Sequence, residues 1–441
     1  MRPLFVACLL AVEACHAAWA GHDLVDIYNL SAQSDPVLLA QAAAQNATAE
    51  LAEQADAAFL PRVDLIANSS KVSTDISSRR LGSTSEYNDH GYTLSLVQPL
   101  YRRHNFVQSR QADIAIEAAA ANNQFAEQAL IVRVAERYFA VLGAEDDLSF
   151  ALAELEAIEK QLAQAEQRFE VGLATIIDVS EARAAFDIAN AALIAAETAV
   201  ANTREALRET AGEYPGELAE LKAKTPLIKP ELQSIDEWSE QAIVMNPLLL
   251  AAGSHVGLAR ESIEFERSSH YPTLDLVAQK DYSSKSGSSL TSDSNKTHEK
   301  VLGLQVNIPI YAGGVVRSRT REASFRLDEA MQNEEEQRRA IMRQTRAAYN
   351  SVMSGISQVK ALKQAVYSNQ KALESTEAGF DIGTRTTVDV LNARRELFGA
   401  LRDYSRSRYD YVVNTLRLKQ AAGIVSVNDI EQINQWLEPK T

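Results

Sequence analysis

Cysteine is nearly absent. The 441-residue chain has two, Cys8 and Cys15, and both fall in an N-terminal segment that reads as removable. No disulfide framework is then available, and packing alone must hold the mature chain. Long apolar runs are missing too: after residue 20 no stretch approaches the ~18–20 apolar residues expected of a membrane-spanning helix. Basic charge is short, with 44 Lys and Arg against 59 Asp and Glu and a formal net charge of −15, which argues against nucleic acid as a partner. Proline and glycine are sparse at 11 and 18. The hydrophobic share leans on alanine, and that composition favours long helices. Chemistry-bearing patterns are lacking as well. The seven histidines are scattered, with no HExxH or paired metal spacing, and neither G-x-S-x-G nor a P-loop occurs. We read a non-enzyme without metal or cofactor.

What is present begins at the N-terminus. MRPLFVACLLAVEACHAAWA carries Arg2, an apolar stretch from Leu4 to Val12, and Ala18-Trp19-Ala20. This is the layout of a secretory signal peptide over residues 1–20, cleaved after Ala20. Glu13 fits poorly with a lipid attached to Cys15.

The rest of the chain is written twice. VGLATIIDVSEAR at 171–183 returns as IGTRTTVDVLNAR at 382–394, an offset of 211 residues that pairs Gly172 with Gly383, Thr175 with Thr386 and Asp178 with Asp389. The same offset pairs Pro36 with Pro247, Pro61 with Pro272 and Asp64 with Asp275. A period this long exceeds any solenoid unit of ~20–50 residues. It marks a duplicated half-protein, with repeats at 21–212 and 236–425, a proline-containing linker at 213–235 and a tail at 426–441.

Each half predicts helix, strand, polar loop, strand, and two very long helices, a mostly α architecture with some β. The first helix is expected over 24–58. Strands are expected at about 62–75, 91–101, 272–282 and 301–311, where residues alternate in polarity. Ser-rich loops are expected at 76–91 and 283–300. Long helices follow from Tyr101 to about Phe169, from about 175 to 210, from Val315 to Asp381, and from Thr387 to Ala422. Leu155, Ile158, Leu162, Ala165 and Phe169 step by three and four, a coiled-coil-like seam. Four strands cannot close a membrane barrel, whose smallest forms have ~8. In lipid, several chains must pool their strands, and three would give twelve. The alternative for the strands is two soluble hairpins packed on helices; the rival for the whole chain is an exported coiled-coil spacer or adhesin stalk without a pore, its strands serving only for trimerisation.

The duplicated half, the FLPRVDL and PIYAGG strand-to-helix junctions and the paired VGL…D and IGTRT…DVLNAR phrases together resemble the TolC family of outer-membrane efflux and secretion channels. The resemblance covers essentially the whole mature chain. It implies a homotrimer with a twelve-stranded β-barrel continuous with a long periplasmic α-helical barrel, extracellular loops at 76–91 and 283–300, and an equatorial belt that includes 213–235 and the tail. It further implies a place in the outer membrane of a Gram-negative bacterium. The role would be the exit duct of a tripartite efflux or type I secretion system, with a periplasmic adaptor (membrane fusion) protein, an inner-membrane ABC or proton-driven transporter and outer-membrane lipid as partners. The repeated phrases then fall at periplasmic helix tips.

Local chemistry explains part of those tips. Gly172 and Gly383 suit a turn needing positive φ, while Thr175 and Thr386 with Asp178 and Asp389 suit helix starts. By the resemblance, Val171, Gly172, Leu173, Ile382, Gly383 and Thr384 would dock the adaptor. Asp389 would contribute an acidic ring to a pore gate, and Arg385 would reach a neighbouring helix near Asp178. Asn392 stands where a second acidic residue is usual. Phe380 stands where a tyrosine often hydrogen-bonds, and Ile177 lacks a hydroxyl. The expected gate therefore rests on Arg385 links and packing. Arg79-Arg80 could touch surface lipopolysaccharide, although a mobile loop is the simpler reading.

Overall fold

The computed structural model describes residues 22–77, 82–232, 234–288 and 295–440. The expected signal peptide with Cys15, and Arg79-Arg80, lie outside the described residues.

The helix expected over 24–58 is two helices, α1 (Leu24–Ser34) and α2 (Pro36–Ala57). Pro36 forces the break, because the residue before a proline is driven out of the helical region. Asp35 is accordingly extended. Its carboxylate accepts from the Leu38 amide at 2.8 Å and pairs with Arg133 on the first long helix. The second repeat repeats the device. Asn246 separates α5 (Ile235–Met245) from α6 (Pro247–Ser268), accepts from the Leu248 amide and donates to the Ala421 carbonyl.

The sheet has four antiparallel strands, β1 (Arg62–Ser77), β2 (Gly82–Tyr101), β4 (Thr273–Ser288) and β5 (Asn295–Asn307), ordered β1-β2-β4-β5. Three expected boundaries are corrected. β2 begins at Gly82 rather than 91, and β4 runs on to Ser288, so strands occupy most of the segments read as loops at 76–91 and 283–300. Backbone pairing continues there although the side chains are polar on both faces, so no alternation marked it. β5 spans 295–307 rather than 301–311. Pro309 has no N–H to extend the ladder, and Ile310 and Tyr311 stand exposed beyond it. Pro99 coincides with a register shift against β4, as a proline inside a sheet requires.

Register assigns the faces. Val63, Leu65, Leu94, Leu96, Leu302 and Leu304 share one face. The opposite face carries Asp89, Thr93, Asp281 and Ser283, where the Thr93 hydroxyl donates to Asp281 at 2.6 Å and the Ser283 hydroxyl to Asp89 at 3.3 Å.

The long helices are α3 (Arg103–Glu170), α4 (Ile176–Ala211), α7 (Val315–Asp381) and α8 (Thr387–Ala421). Ile158, Leu162 and Ala165 of the expected seam are buried against Ala182, Ala185 and Ala189 of α4. Alanine lets these backbones approach closely. Phe169 departs from the seam and is exposed, because it sits in the last turn of α3, where α4 is only beginning. A further correction concerns α4 itself, which is long and apolar enough to cross a bilayer by length and composition. Its apolarity is mostly alanine spread among polar residues, which hides it from a search for continuous runs.

The chain divides into two compact units. One comprises Ala44–Ala120 with Ala251–Glu335 and contains the sheet. In it Arg102 binds Asp275 through two hydrogen bonds of 2.8 and 2.9 Å, and Phe59 meets Phe106 edge-on. The other comprises the described residues up to Ala43, Ala121–Leu250 and those from Glu336 onward. Its core packs Leu130, Val134, Tyr138 and Leu142 of α3 with Trp238, Tyr411, Leu416 and Ile430. The segment 213–235 and the tail meet here. β3 (Glu220–Leu221) pairs with β6 (Leu437–Glu438), next to α9 (Val427–Asn434). Buried aromatics satisfy the backbone of this irregular segment: Tyr138 donates to the Ala219 carbonyl, Trp238 to Leu232 and Tyr411 to Ile228. Burial pushes the Tyr138 hydroxyl far above its ordinary pKa, so it serves as a neutral donor.

Candidate functional site at the helical tips

Each hairpin turns by the same local chemistry. After α3 the Gly172 amide bonds to the Phe169 carbonyl and the Leu173 amide to Arg168. After α7 the Gly383 amide bonds to Phe380 and the Thr384 amide to Gly379. Gly172 and Gly383 have φ of 75° and 78°, a region that side chains with a Cβ rarely adopt. The return helices begin with matching capping boxes. The Thr175 amide donates to Asp178 at 2.8 Å while the Asp178 amide donates to the Thr175 hydroxyl at 3.2 Å. Thr386 and Asp389 repeat the pair at 2.9 and 3.2 Å.

Both carboxylates are thereby held below the usual aspartate range. For Asp178 the cause is first the Thr175 backbone bond, then its hydroxyl, with smaller help from the Thr387 hydroxyl and the Arg168 charge. For Asp389 it is the Thr386 backbone, then its hydroxyl, and lastly the charge of Arg385. Both aspartates are therefore ionised in neutral water, and each is already engaged as a helix cap.

Apolar side chains stand out from these turns. Val171 is 69% exposed, Leu173 71% and Ile382 77%, so in the single chain these apolar side chains are open to water. Thr384 and Asn392 are also exposed, and the glycines leave open space around them.

The expected link from Arg385 to Asp178 is not made within the chain. Arg385 lies over Gly379, where a Cβ would come within 2.8 Å of its Cγ. The hairpins meet instead through Asp178, which accepts from the Thr387 hydroxyl, and through Arg168, whose guanidinium sits 4.8 Å over the Phe380 ring. Phe380 is half-buried and packs against Leu373, Val390 and Leu397. Lacking a hydroxyl, it binds the other hairpin by its π face rather than by a hydrogen bond.

Sequence reasoning missed Arg168, yet a trace of it was there. Its counterpart at the repeat offset is Gly379, and the counterpart of Arg385 is Ala174. Each tip thus carries one arginine where the other carries a small residue.

Further ties join α8 to α3 and to its own partner α7. Arg394 pairs with Glu377 at 2.6 Å and donates to the Ala157 carbonyl at 2.7 Å. Arg402 pairs with Glu154 at 3.1 Å. Asp146 accepts from the Tyr409 hydroxyl at 2.7 Å and from Ser405. Burial, reinforced by the Asp146 charge, raises the Tyr409 pKa far above its ordinary value and keeps it a donor. Among the described residues no group of His, Cys, Asp and Glu is arranged to hold a metal ion.

Comparison with known proteins agrees with the duplicated architecture. The family model "Outer membrane efflux protein" matches residues 27–213 and again 238–424, one match per repeat. The outer membrane protein TolC of Vibrio cholerae is 37% identical over 99% of this chain and 98% of its own length. TolC of Escherichia coli is 34% identical over 94% of this chain and 85% of its own length. The alkaline protease secretion protein AprF of Pseudomonas aeruginosa is 28% identical over 93% and 86%. Among solved structures the CmeC outer membrane channel of Campylobacter jejuni superposes with a TM-score of 0.77 at 18% identity, covering 94% of this chain and 90% of that one. With both repeats matched and two relatives above 30% identity along nearly the whole sequence, the chain belongs to the outer membrane efflux protein family, the TolC-type channels of the outer membrane.

Proposed function

We propose that this protein is the exit duct of a tripartite efflux or type I secretion system, a homotrimer gated at its helical tips and docked there by a periplasmic adaptor. The observation that carries the reading is the sheet. It has an exposed apolar face, a polar face, and two unpaired edge strands, β1 and β5. In a bilayer every backbone polar group needs a partner, so β5 of one copy must pair with β1 of the next. Three copies supply twelve strands, within the even-numbered range of such barrels.

The tips support the rest. Val171, Leu173 and Ile382 offer the adaptor an apolar ring, with Gly172, Gly383 and Thr384 shaping the turns. Asp178, Phe380, Arg385, Asp389 and Asn392 form the gate. Asp389 supplies a fixed negative charge from each copy, and Arg385, which makes no ion pair among the described residues, seeks one on a neighbouring copy. Energy for transport comes from an inner-membrane ABC or proton-driven transporter. A poreless stalk is disfavoured, because it would leave Leu302, Leu304 and Val306, 59–77% exposed, facing water.

Planar-bilayer recording of the purified trimer separates the two readings: a duct conducts, whereas a stalk is silent. Cross-linking from Cys at position 173 in whole cells then identifies the adaptor. Recovery of only other copies of this chain would count against docking at that tip.

A further inference from the structure

The apolar face of the sheet ends in an unneutralised pair of lysines. Lys280 on β4 stands directly opposite Lys300 on β5, and both side chains are exposed. Directly opposed residues on neighbouring strands lie about 4.5–5.5 Å apart, and like charges there are destabilising. No compensating carboxylate is at hand on this face. Among the described residues neither ammonium has a hydrogen bond or ion pair. On the β2 side Lys280 faces Leu94, flanked by Tyr92 and Leu96.

Barrel closure adds a carboxylate to this face only at Asp75, near the hairpin end of β1 and ten positions beyond Leu65, which shares the lysines' row. The strand that would seal β5 is β1 of a second copy. On this face it presents Val63, Leu65, Ala67, Ser69, Lys71, Ser73 and Asp75. The contrast with the first hairpin is direct: Lys71 there is neutralised by Glu86 at 3.1 Å.

The level of the pair on the sheet is also informative. Immediately outward of it, Tyr92, Tyr282 and His298 form one cross-strand aromatic row, with ring centroids 5.3 and 4.9 Å apart. Inward lie Ala278 and Leu302, then Leu276 and Leu304. Tyr92 and Tyr101, the latter at the helix-bearing end of β2, are nine positions apart. That is ~30 Å along the strand, or ~20–25 Å of height at the tilt of such barrels. Tyr92 and Tyr282 therefore occupy the position of an aromatic girdle, one row outward of the two lysines, whose stems are long enough to reach it.

We propose that Lys280 and Lys300 form a binding site for a phosphorylated glycolipid of the outer leaflet, three sites per trimer, with one phosphate held between the two ammonium groups. The sugar ring would lie against Tyr282 and Tyr92, while the acyl chains follow the leucines below. A phosphate supplies the negative charge that no side chain beside the pair on this face provides, and it converts the repulsive pair into two charge-assisted contacts. The site rests on the reading of this face as lipid-exposed.

Native mass spectrometry of the delipidated trimer tests it, titrating diphosphoryl lipid A, its dephosphorylated form and phosphatidylglycerol. Wild type should retain up to three diphosphoryl lipids and prefer them over both comparators. The Lys280→Gln/Lys300→Gln double variant should bind about 25-fold more weakly, about fivefold per lysine. Lys71→Gln, whose ammonium is already paired, should shift the midpoint less than twofold. Equal retention by the double variant, or equal binding of dephosphorylated lipid or phosphatidylglycerol, would overturn the proposal. Recording the same preparations in planar bilayers keeps the two readings apart. Intact conductance with unselective lipid binding removes only this site, and silence removes the membrane reading beneath it.

Discussion

The two helical hairpins share one sequence pattern and are held in different ways. In the first, Arg183 braces Glu166 at 3.1 Å, with the arginine side chain 58% exposed. At the equivalent positions of the second, Arg394 braces Glu377 at 2.6 Å, is only 15% exposed, and also donates to the Ala157 carbonyl of the first hairpin. The first hairpin is braced internally by an exposed pair and ends in the bare Val171–Leu173 tip. The second is tied to its neighbour at Arg394, Arg402, Ser405 and Tyr409. Duplication supplied two copies of one fold, and a few charged side chains then made their braces and tips differ. A gate that opens by moving one hairpin against the other must break these ties.

The largest expected effect comes from cutting the buried brace and comparing it with the exposed one. Arg394→Ala removes two charge-assisted bonds, each worth about 1.5–3 kcal/mol when charged groups are involved. Arg183→Ala removes a surface pair worth about 0–1 kcal/mol. Thermal unfolding of the trimer should show a clear drop for Arg394→Ala and almost none for Arg183→Ala. Equal drops would erase the asymmetry.

Next come the turns, where the hairpins should behave alike. Gly172→Ala and Gly383→Ala each place a Cβ at positive φ, at a cost of about 1–2 kcal/mol. Amide hydrogen exchange at the affected tip should quicken several-fold in both. Thr175→Ala and Thr386→Ala each lose a cap worth about 1 kcal/mol, with a matching rise in exchange over the first turn of α4 or α8. A strong effect at one tip alone would mean that contacts outside the turn hold it.

The smallest effect is on pH dependence. Asp178 and Asp389 have folded-state pKa values below the ordinary 3.8 because their capping partners favour the charged form. Their stabilisation is complete above the unfolded value and is lost as pH falls through the lower folded one. Tip exchange should therefore be flat from pH 7 to about 4, on the reference carboxylate scale, and rise only in stronger acid. Asp178→Asn and Asp389→Asn should remove that acid limb, seen by comparing exchange profiles across the range. A transition near pH 6 would assign the acid response to other groups.

Much of the fold was legible because it was written in backbone chemistry. Pro61, Pro272, Gly172 and Gly383 punctuate the chain whatever surrounds them, so helix ends were readable to within a residue or two. Strand ends were not. Ser and Asn residues at 82–90 and 283–288 pair through their backbones, and polarity patterns say nothing of that. The break at Asp35 was missed although Pro36 announces it. At the site, the caps followed from Thr and Asp spacing. The contact of Arg168 with Phe380 depends on how two hairpins face each other, which no local pattern encodes. Arg385 shows the same limit: its resting place over Gly379 is set by tertiary packing.

The central claim is a duct whose tips hold it shut. Single-channel conductance of the purified trimer in planar bilayers tests it most directly. The account predicts small steady currents for the wild type and a several-fold increase when Arg385→Ala and Arg394→Ala are combined, releasing the second hairpin. A trimer that gives no current, or a double variant with wild-type conductance, would contradict it.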